Sequence, residues 1–247
     1  MMVIEGGILV LFGLLFGSFL NVLILRIPKE ESVVFPGSHC TSCNNKLKWW
    51  HNIPLFSWLI LRGKCHFCKD KISIQYPIIE LVTAILFGLV YYKLENIPYG
   101  LIAGLVFALL LGLSLIDLRY KAVPDSLNLG ALTLAIFASP EILTNLTNAL
   151  IFAGGFALLR FYVSFAIKKE ALGEADIMIA ATIGAMVGLK LGVFAIFLSA
   201  VIALPVFIII KEKDYEVPFI PFLAFALFLV YIFEDFFKAF MFNVYGI

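Results

Sequence analysis

Charge is what this sequence has least of. Asp, Glu, Lys and Arg make up only 14% of its 247 residues, against roughly a quarter in an ordinary soluble domain. Hydrophobic residues make up 62%. Too few polar side chains remain to cover a water-soluble core, so a soluble globular domain is excluded and a polytopic membrane protein is expected. The formal net charge of +1 leaves no electrostatic footprint for nucleic acid, and no nucleic-acid partner is expected. The first apolar run has no basic residue before it and no small-residue cleavage site after it, so a removable signal peptide is not expected. The two halves of the chain show no visible repeat, which argues against the repeat-built transporter folds.

What is abundant is apolar length. Segments at 4–25, 77–92, 99–116, 127–138, 149–166, 177–189, 191–210 and 219–233 approach or exceed the run of roughly 20 residues that crosses hydrocarbon. The fourth and sixth are short. The expected fold is therefore all-α, with about eight transmembrane helices in a lipid bilayer. Residues 1–25 form the first helix, 26–76 a polar insert between helices 1 and 2, and 77–247 the remaining helices. Basic residues divide unevenly between the loops. If the insert is cytosolic, its side of the membrane collects Arg26, Lys29, Lys46, Lys48, Arg62, Lys64, Lys69, Lys71, Arg119, Lys121, Lys168, Lys169, Lys211 and Lys213, and the other side only Lys93, Lys190 and Lys238. The positive-inside rule then puts the N-terminus outside and the insert in the reducing cytosol.

All four cysteines lie in that insert, as two CxxC pairs, Cys40/Cys43 and Cys65/Cys68. Two such knuckles about twenty residues apart can turn four thiolates toward one tetrahedral Zn²⁺. Two disulfides or four free thiols are the competing readings, and a cytosolic insert favours zinc. His39 and His66 flank cysteines, but four thiolates complete the shell without them.

Ionisable residues at membrane depth are costly and tend to mark function; here they are Glu80, Asp117, Asp125, Arg160 and Asp176. The third segment runs toward the cytosol and ends at Asp117, and the sixth runs away from it and opens at Asp176. The two carboxylates therefore sit at one depth and can meet. Like charges sharing a site leave one carboxyl protonated, so that one can act as base on a water and the other as acid toward a scissile carbonyl. The alternatives are an ion pair of Asp117 with Arg119 or Lys121, and a helix cap at Asp176. Asp125 or Ser126, behind the helix-breaking Pro124, reads as a cap. Glu80 either snorkels or faces the bundle interior, and Arg160 reads as snorkelling. Gly13/Gly17 and Gly184/Gly188 form GxxxG pairs suited to close helix packing.

These residues fall into a known pattern. GSFLNVLILRIP (17–28), the paired-cysteine stretch HCTSCNNKLKWWHNIPLFSWLILRGKCHFCKDKISIQYPIIE (39–80), IDLRYKAVPD (116–125) and LGEADIMIAATIGAMVG (172–188) together resemble the bifunctional type IV prepilin peptidases. These are GxGD-type intramembrane aspartyl proteases, also called prepilin leader peptidase/N-methyltransferases. The resemblance runs from the first segment to about the seventh. It implies an inner-membrane enzyme with Asp117 and Asp176 as its catalytic aspartates. Its substrates would be prepilin or pseudopilin helices, from which a short basic leader is cut on the cytosolic side. The resemblance also implies methylation of the new N-terminus from S-adenosylmethionine, with Gly63, Ser18, Asn21 and Arg26 as candidates for the methyl-donor site. The sequence departs from the pattern at Ala175, where GxGD has its second glycine, and at Met178, where lysine is common. Two other classes remain: a methylating or prepilin-binding membrane protein with an inactive dyad, and a proton-coupled transporter.

Overall fold

The computed structural model describes residues 2–168, 173–209 and 217–245. Lys169, Lys211 and Lys213, counted above among the basic loop residues, lie outside them. The chain divides into two compact units, Met1–Gly104 and Leu105–Ile247. Among the described residues the secondary structure is helical, with two isolated β-bridges and no strand.

The first unit is built on α1 (Met2–Arg26) and α3 (Gln75–Leu94), with the polar insert and its short α2 (Phe56–Ile60) between them. Two glycines set how closely α1 and α3 approach. A Cβ at Gly13 would lie 2.9 Å from the Ala84 Cα, and one at Gly17 would lie 2.8 Å from the Glu80 Cα. Backbone therefore meets backbone, as small residues allow inside a bilayer. Polar bonds reinforce the contact at both ends. Asn21 Nδ2 donates to the Tyr76 carbonyl at 3.3 Å, and the Tyr91 hydroxyl donates to Glu5 Oε2 at 2.6 Å.

The second unit begins within α4 (Ile97–Tyr120) and continues through α5 (Asp125–Ile136), α6 (Ile142–Ile167), α7 (Glu174–Ile209), α8 (Ile220–Ile232) and α9 (Glu234–Tyr245). Phe107 on α4 stacks edge-on against Phe228 and Tyr231 of α8, with centroids 5.4 and 5.1 Å away. Asn145 closes the α5–α6 turn by donating to the Ile136 carbonyl and the Ser139 hydroxyl. The Phe152 ring of α6 fills the space where side chains at Gly184 and Gly192 of α7 would stand; Cβ atoms there would come within 2.4 and 2.5 Å of it. Between those glycines Gly188 has φ 74° and ψ −176°, which breaks the helix. It is a left-handed-side conformation that glycine adopts without strain, so of the expected GxxxG pair Gly184 packs and Gly188 bends.

The expected apolar segments fall on helices among the described residues. Five helices, α1, α3, α4, α6 and α7, are long and apolar enough to cross a bilayer, and the pair α8 and α9, bent by 87°, makes a sixth if it is one span. The sixth and seventh segments are the two helices on either side of the non-helical Gly188, which follow one another within α7 without a loop. The fourth segment, α5, has 12 residues, about 18 Å of helix, too short for a core of about 30 Å. The outer surface is inverted relative to a soluble protein. Leu143, Leu150, Phe161 and Phe165 on α6 are each more than 60% exposed, a face made for lipid. This is a polytopic membrane protein with a cysteine-bearing insert.

The Gly17 contact leaves no room for a side chain. Gly17→Leu should force α1 from α3 and cost about 1–3 kcal/mol or more, read as a lowered midpoint of thermal unfolding in detergent. An unchanged midpoint would mean that the helices are not held this closely.

Candidate active site and metal centre

Asp117 closes α4 and Asp176 opens α7. The Asp117 carboxylate is 8% exposed and accepts the Ile220 N–H at 3.3 Å. Pro221 follows Ile220 at the start of α8, so Ile220 is the first residue of a helix whose opening N–H groups have no partner within it. The carboxylate satisfies one of them at the positive end of the helix dipole. Asp176 is half-buried, and its Oδ2 accepts the Gly173 N–H at 3.1 Å. It thus stands three residues into the first turn and reaches back to the residue that precedes the helix, which is half of a capping box. The capping alternative is met in this form: Asp176 caps from inside the helix, and its second oxygen is left over. Asp117 lies close enough to Asp176 to feel its charge. The topology therefore brings together the two aspartates singled out in the sequence.

Their surroundings answer several expectations. Ala175 lies within α7 and is not among the residues with positive φ, so the missing second glycine of GxGD is not needed for a left-handed turn. Its carbonyl accepts Asn128 Nδ2 of α5 at 3.1 Å. Asn128 is fully buried, and its Oδ1 has no partner. Turning the amide over would set oxygen against the Ala175 carbonyl, so the free acceptor is fixed. Neither Asn128 nor Ile220 was identified in the sequence, although an asparagine in an apolar helix and an Ile-Pro helix start were available signals. Arg160 does not simply snorkel: its Nη1 pairs with Glu174 Oε1 at 3.0 Å. Glu174, a potential third carboxylate at the dyad, is engaged there. Asp125 starts α5 without a side-chain capping bond, because the cap position belongs to Pro124; its charge serves only the first turn.

In the first unit the two CxxC pairs form matching knuckles. Asn44 N–H returns to the Cys40 carbonyl and Lys69 N–H to that of Cys65, at 2.9 and 3.1 Å. Asn44 and Lys69 hold equivalent positive-φ positions, at 56° and 63°. Single bridges close each knuckle, His39 with Lys46 and Lys64 with Lys71. The Ser42 hydroxyl donates to Asp70 across the pair. This bond and the Lys71 N–H hold the Asp70 carboxyl below its usual range.

The four Sγ atoms lie within 4.8 Å of one another, and those of Cys40 and Cys68 are 3.8 Å apart. Four thiolates about 2.3 Å from one tetrahedral ion are about 3.8 Å apart, so the group suits one metal ion once its widest separation closes by about 1 Å. The Cys43 N–H, with that of Ser42 and the neighbouring thiols, brings Cys40 down to about 6. The Asp70 N–H pulls Cys68 downward too, but burial and the other three thiols outweigh it and carry it up to about 12. Four adjacent sulfurs shed all their protons only when a cation arrives. His39 bonds the Gly37 carbonyl and His66 stacks on His51, so neither is spent as a ligand.

The candidates for a methyl-donor site are engaged in holding the insert. Arg26 donates to the Ser32 and Pro36 carbonyls at 2.9 and 2.8 Å. Ser18 hydrogen-bonds Glu80. Asn21 donates to the Gly17 and Tyr76 carbonyls, leaving its buried Oδ1 without a partner. Gly63 has φ 66°, and a Cβ there would stand 2.9 Å from the Trp58 ring. Glu80 faces the interior, as one of its two readings had it, and accepts the Leu55 N–H at 2.8 Å.

The model of the bacterial peptidase A24 N-terminal domain matches residues 11–94, and that of the type IV leader peptidase family matches residues 104–208. The chain belongs to the type IV leader peptidase family. It is 34% identical over 254 residues to a prepilin leader peptidase/N-methyltransferase of Xanthomonas campestris pv. campestris, covering 89% of this chain and 88% of that protein. Proteins of the same name from Neisseria gonorrhoeae and Pseudomonas aeruginosa are 35% and 33% identical, covering 81% and 88% of this chain and 80% and 86% of their own lengths. No solved structure is significantly similar to the chain. Within this leader peptidase, the contact between Asn128 and Ala175 supports the turn that presents Asp176. Asn128→Ala would remove the hydrogen bond from α5 to the Ala175 carbonyl, a loss of about 1 kcal/mol. Leader cleavage should fall while the α1–α3 unit keeps its stability. Unchanged cleavage kinetics would remove Asn128 from the site.

Proposed function

We propose that this protein cleaves the basic leader from type IV prepilin or pseudopilin helices with Asp117 and Asp176, and N-methylates the exposed N-terminus. The observation that carries the reading is the meeting of these two carboxylates at two helix N-termini, in a chain of the leader peptidase family. Each carboxylate has one oxygen engaged by a backbone N–H, which holds the group in place and leaves the second oxygen for substrate. In this reading one carboxylate removes a proton from a water while the protonated partner donates to the scissile carbonyl. The carbonyl carbon becomes tetrahedral and then collapses, and the leaving amine takes up the proton. An ordinary helical backbone at Ala175 favours a working dyad over an inactive one. The basic-residue distribution supports an N-terminus outside and a dyad and insert facing the cytosol of a bacterial inner membrane.

For the metal we infer one structural Zn²⁺ held by Cys40, Cys43, Cys65 and Cys68, with residues 26–76 as the insert it organises and the helices from residue 77 onward carrying the peptidase site. S-adenosylmethionine, when bound, supplies an electrophilic methyl group to the new N-terminal amine. Gly63, Ser18, Asn21 and Arg26 contribute by fixing the shape of the insert, which makes methylation sensitive to it.

Mass spectrometry of a prepilin incubated with purified protein reads leader loss and the methyl increment separately. Asp117→Asn and Asp176→Asn each keep the hydrogen bond to backbone and should cost at most about 1 kcal/mol in stability. Cleavage should nonetheless fall by roughly a hundredfold or more, since an amide cannot take the proton from water. Full cleavage by either variant would sink the peptidase reading and leave a binding or methylating protein.

Purified wild-type protein should carry about one zinc per chain. Cys40→Ser should lower the zinc content measured by plasma mass spectrometry and impair methylation more than cleavage, because the helical bundle is stabilised by its own packing. Metal-free wild-type protein with two disulfides, isolated under native conditions, would overturn the zinc assignment.

A further inference from the structure

The segment that leads into α2 is tied into the membrane-spanning helices. Leu55 has φ 61° and ψ −54°, and the Phe56 N–H bonds the Pro54 carbonyl at 2.7 Å. That is a γ-turn of the strained left-handed kind, rare for a residue other than glycine. The Leu55 N–H donates to Glu80, which is 6% exposed and also hydrogen-bonded to Ser18 of α1. Glu80 is the sixth residue of α3, about 8 Å along a helix that spans the bilayer. The chain is therefore anchored one residue before α2 begins, at a depth below the helix ends.

α2 has two faces. Trp58 turns inward: its ring packs where a Gly63 side chain would stand, and its Nε1 donates to the Ile72 carbonyl. Phe56, Leu59 and Ile60 share the opposite face and are 60%, 63% and 78% exposed. Arg62 and Lys64 follow at once, both exposed, and residues 26–76 hold eight basic against three acidic side chains. Large apolar side chains on one face, cationic groups beside them and a start level with the second turn of a membrane-crossing helix are the properties of a helix that lies in the headgroup and acyl boundary.

We propose that α2 is an interfacial anchor. Phe56, Leu59 and Ile60 insert into the leaflet beside α1 and α3, and Arg62 and Lys64 meet anionic lipid phosphates. The insert is thereby held down on the bilayer through its own apolar contact as well as through the Leu55–Glu80 bond.

All three tryptophans of the chain, Trp49, Trp50 and Trp58, lie in the insert, so fluorescence reads this segment alone. The test uses full-length Trp49→Phe/Trp50→Phe protein, one copy per nanodisc of phosphatidylglycerol and phosphatidylethanolamine, with Ile60→Trp or Phe56→Trp added as reporter. The emission gained over the parent should be blue-shifted, largely lost with lipids brominated high on the acyl chain, and little affected by aqueous iodide. Agreement of the two reporters guards against a local effect of either substitution. Emission at the wavelength of tryptophan in water, quenched by iodide and indifferent to brominated lipid, would overturn the proposal. If that reporter were shielded only in discs holding two copies, the face would belong to a second chain and the lipid assignment would likewise fail.

Discussion

A carboxylate placed among lipid-facing helices has no bulk water to solvate it, so protein must supply its donors. Glu80, Asp117 and Asp176, all in the spans, are each met by a backbone N–H at an interruption of regular structure. Glu80 takes the N–H of Leu55 in a strained turn, Asp117 that of Ile220 at the start of α8, and Asp176 that of Gly173 just before α7. The helix ends need these acceptors as much as the carboxylates need donors. The breaks in the helices and the acidic residues are thus two halves of one requirement.

The same requirement explains what could be read from the sequence and what could not. Asp117 and Asp176 were legible because an acidic residue is conspicuous in an apolar run and because chain direction alone sets their depth. The cysteine knuckles were legible because CxxC spacing encodes a local turn, seen here as the paired returns of Asn44 and Lys69. The partners were not. Ile220, Leu55 and Ala175 act through main-chain groups, which carry no side-chain signature, and only the tertiary arrangement selects them. The number of crossings is fixed by the backbone for a related reason. Hydropathy locates apolar stretches, but whether two of them are separate crossings depends on backbone angles at one residue, Gly188, and on the 87° bend between α8 and α9.

The candidates for methyl-donor binding also have packing and bonding roles. Arg26 and Gly63 make contacts within the insert, whereas Ser18 and Asn21 of α1 bond to Glu80 and Tyr76 of α3. A residue required for a reaction through the shape of a loop leaves the same motif as one that touches the ligand.

The Phe152 ring is gripped by Gly184 on one side of the break in α7 and by Gly192 on the other. A glycine with free torsions would ordinarily make a joint, but one ring seated against both arms acts as a splint across it. The arm that carries Asp176 therefore cannot swing without displacing an aromatic side chain of α6. Asp176 is thereby coupled to a packing contact about 12 Å further along its helix.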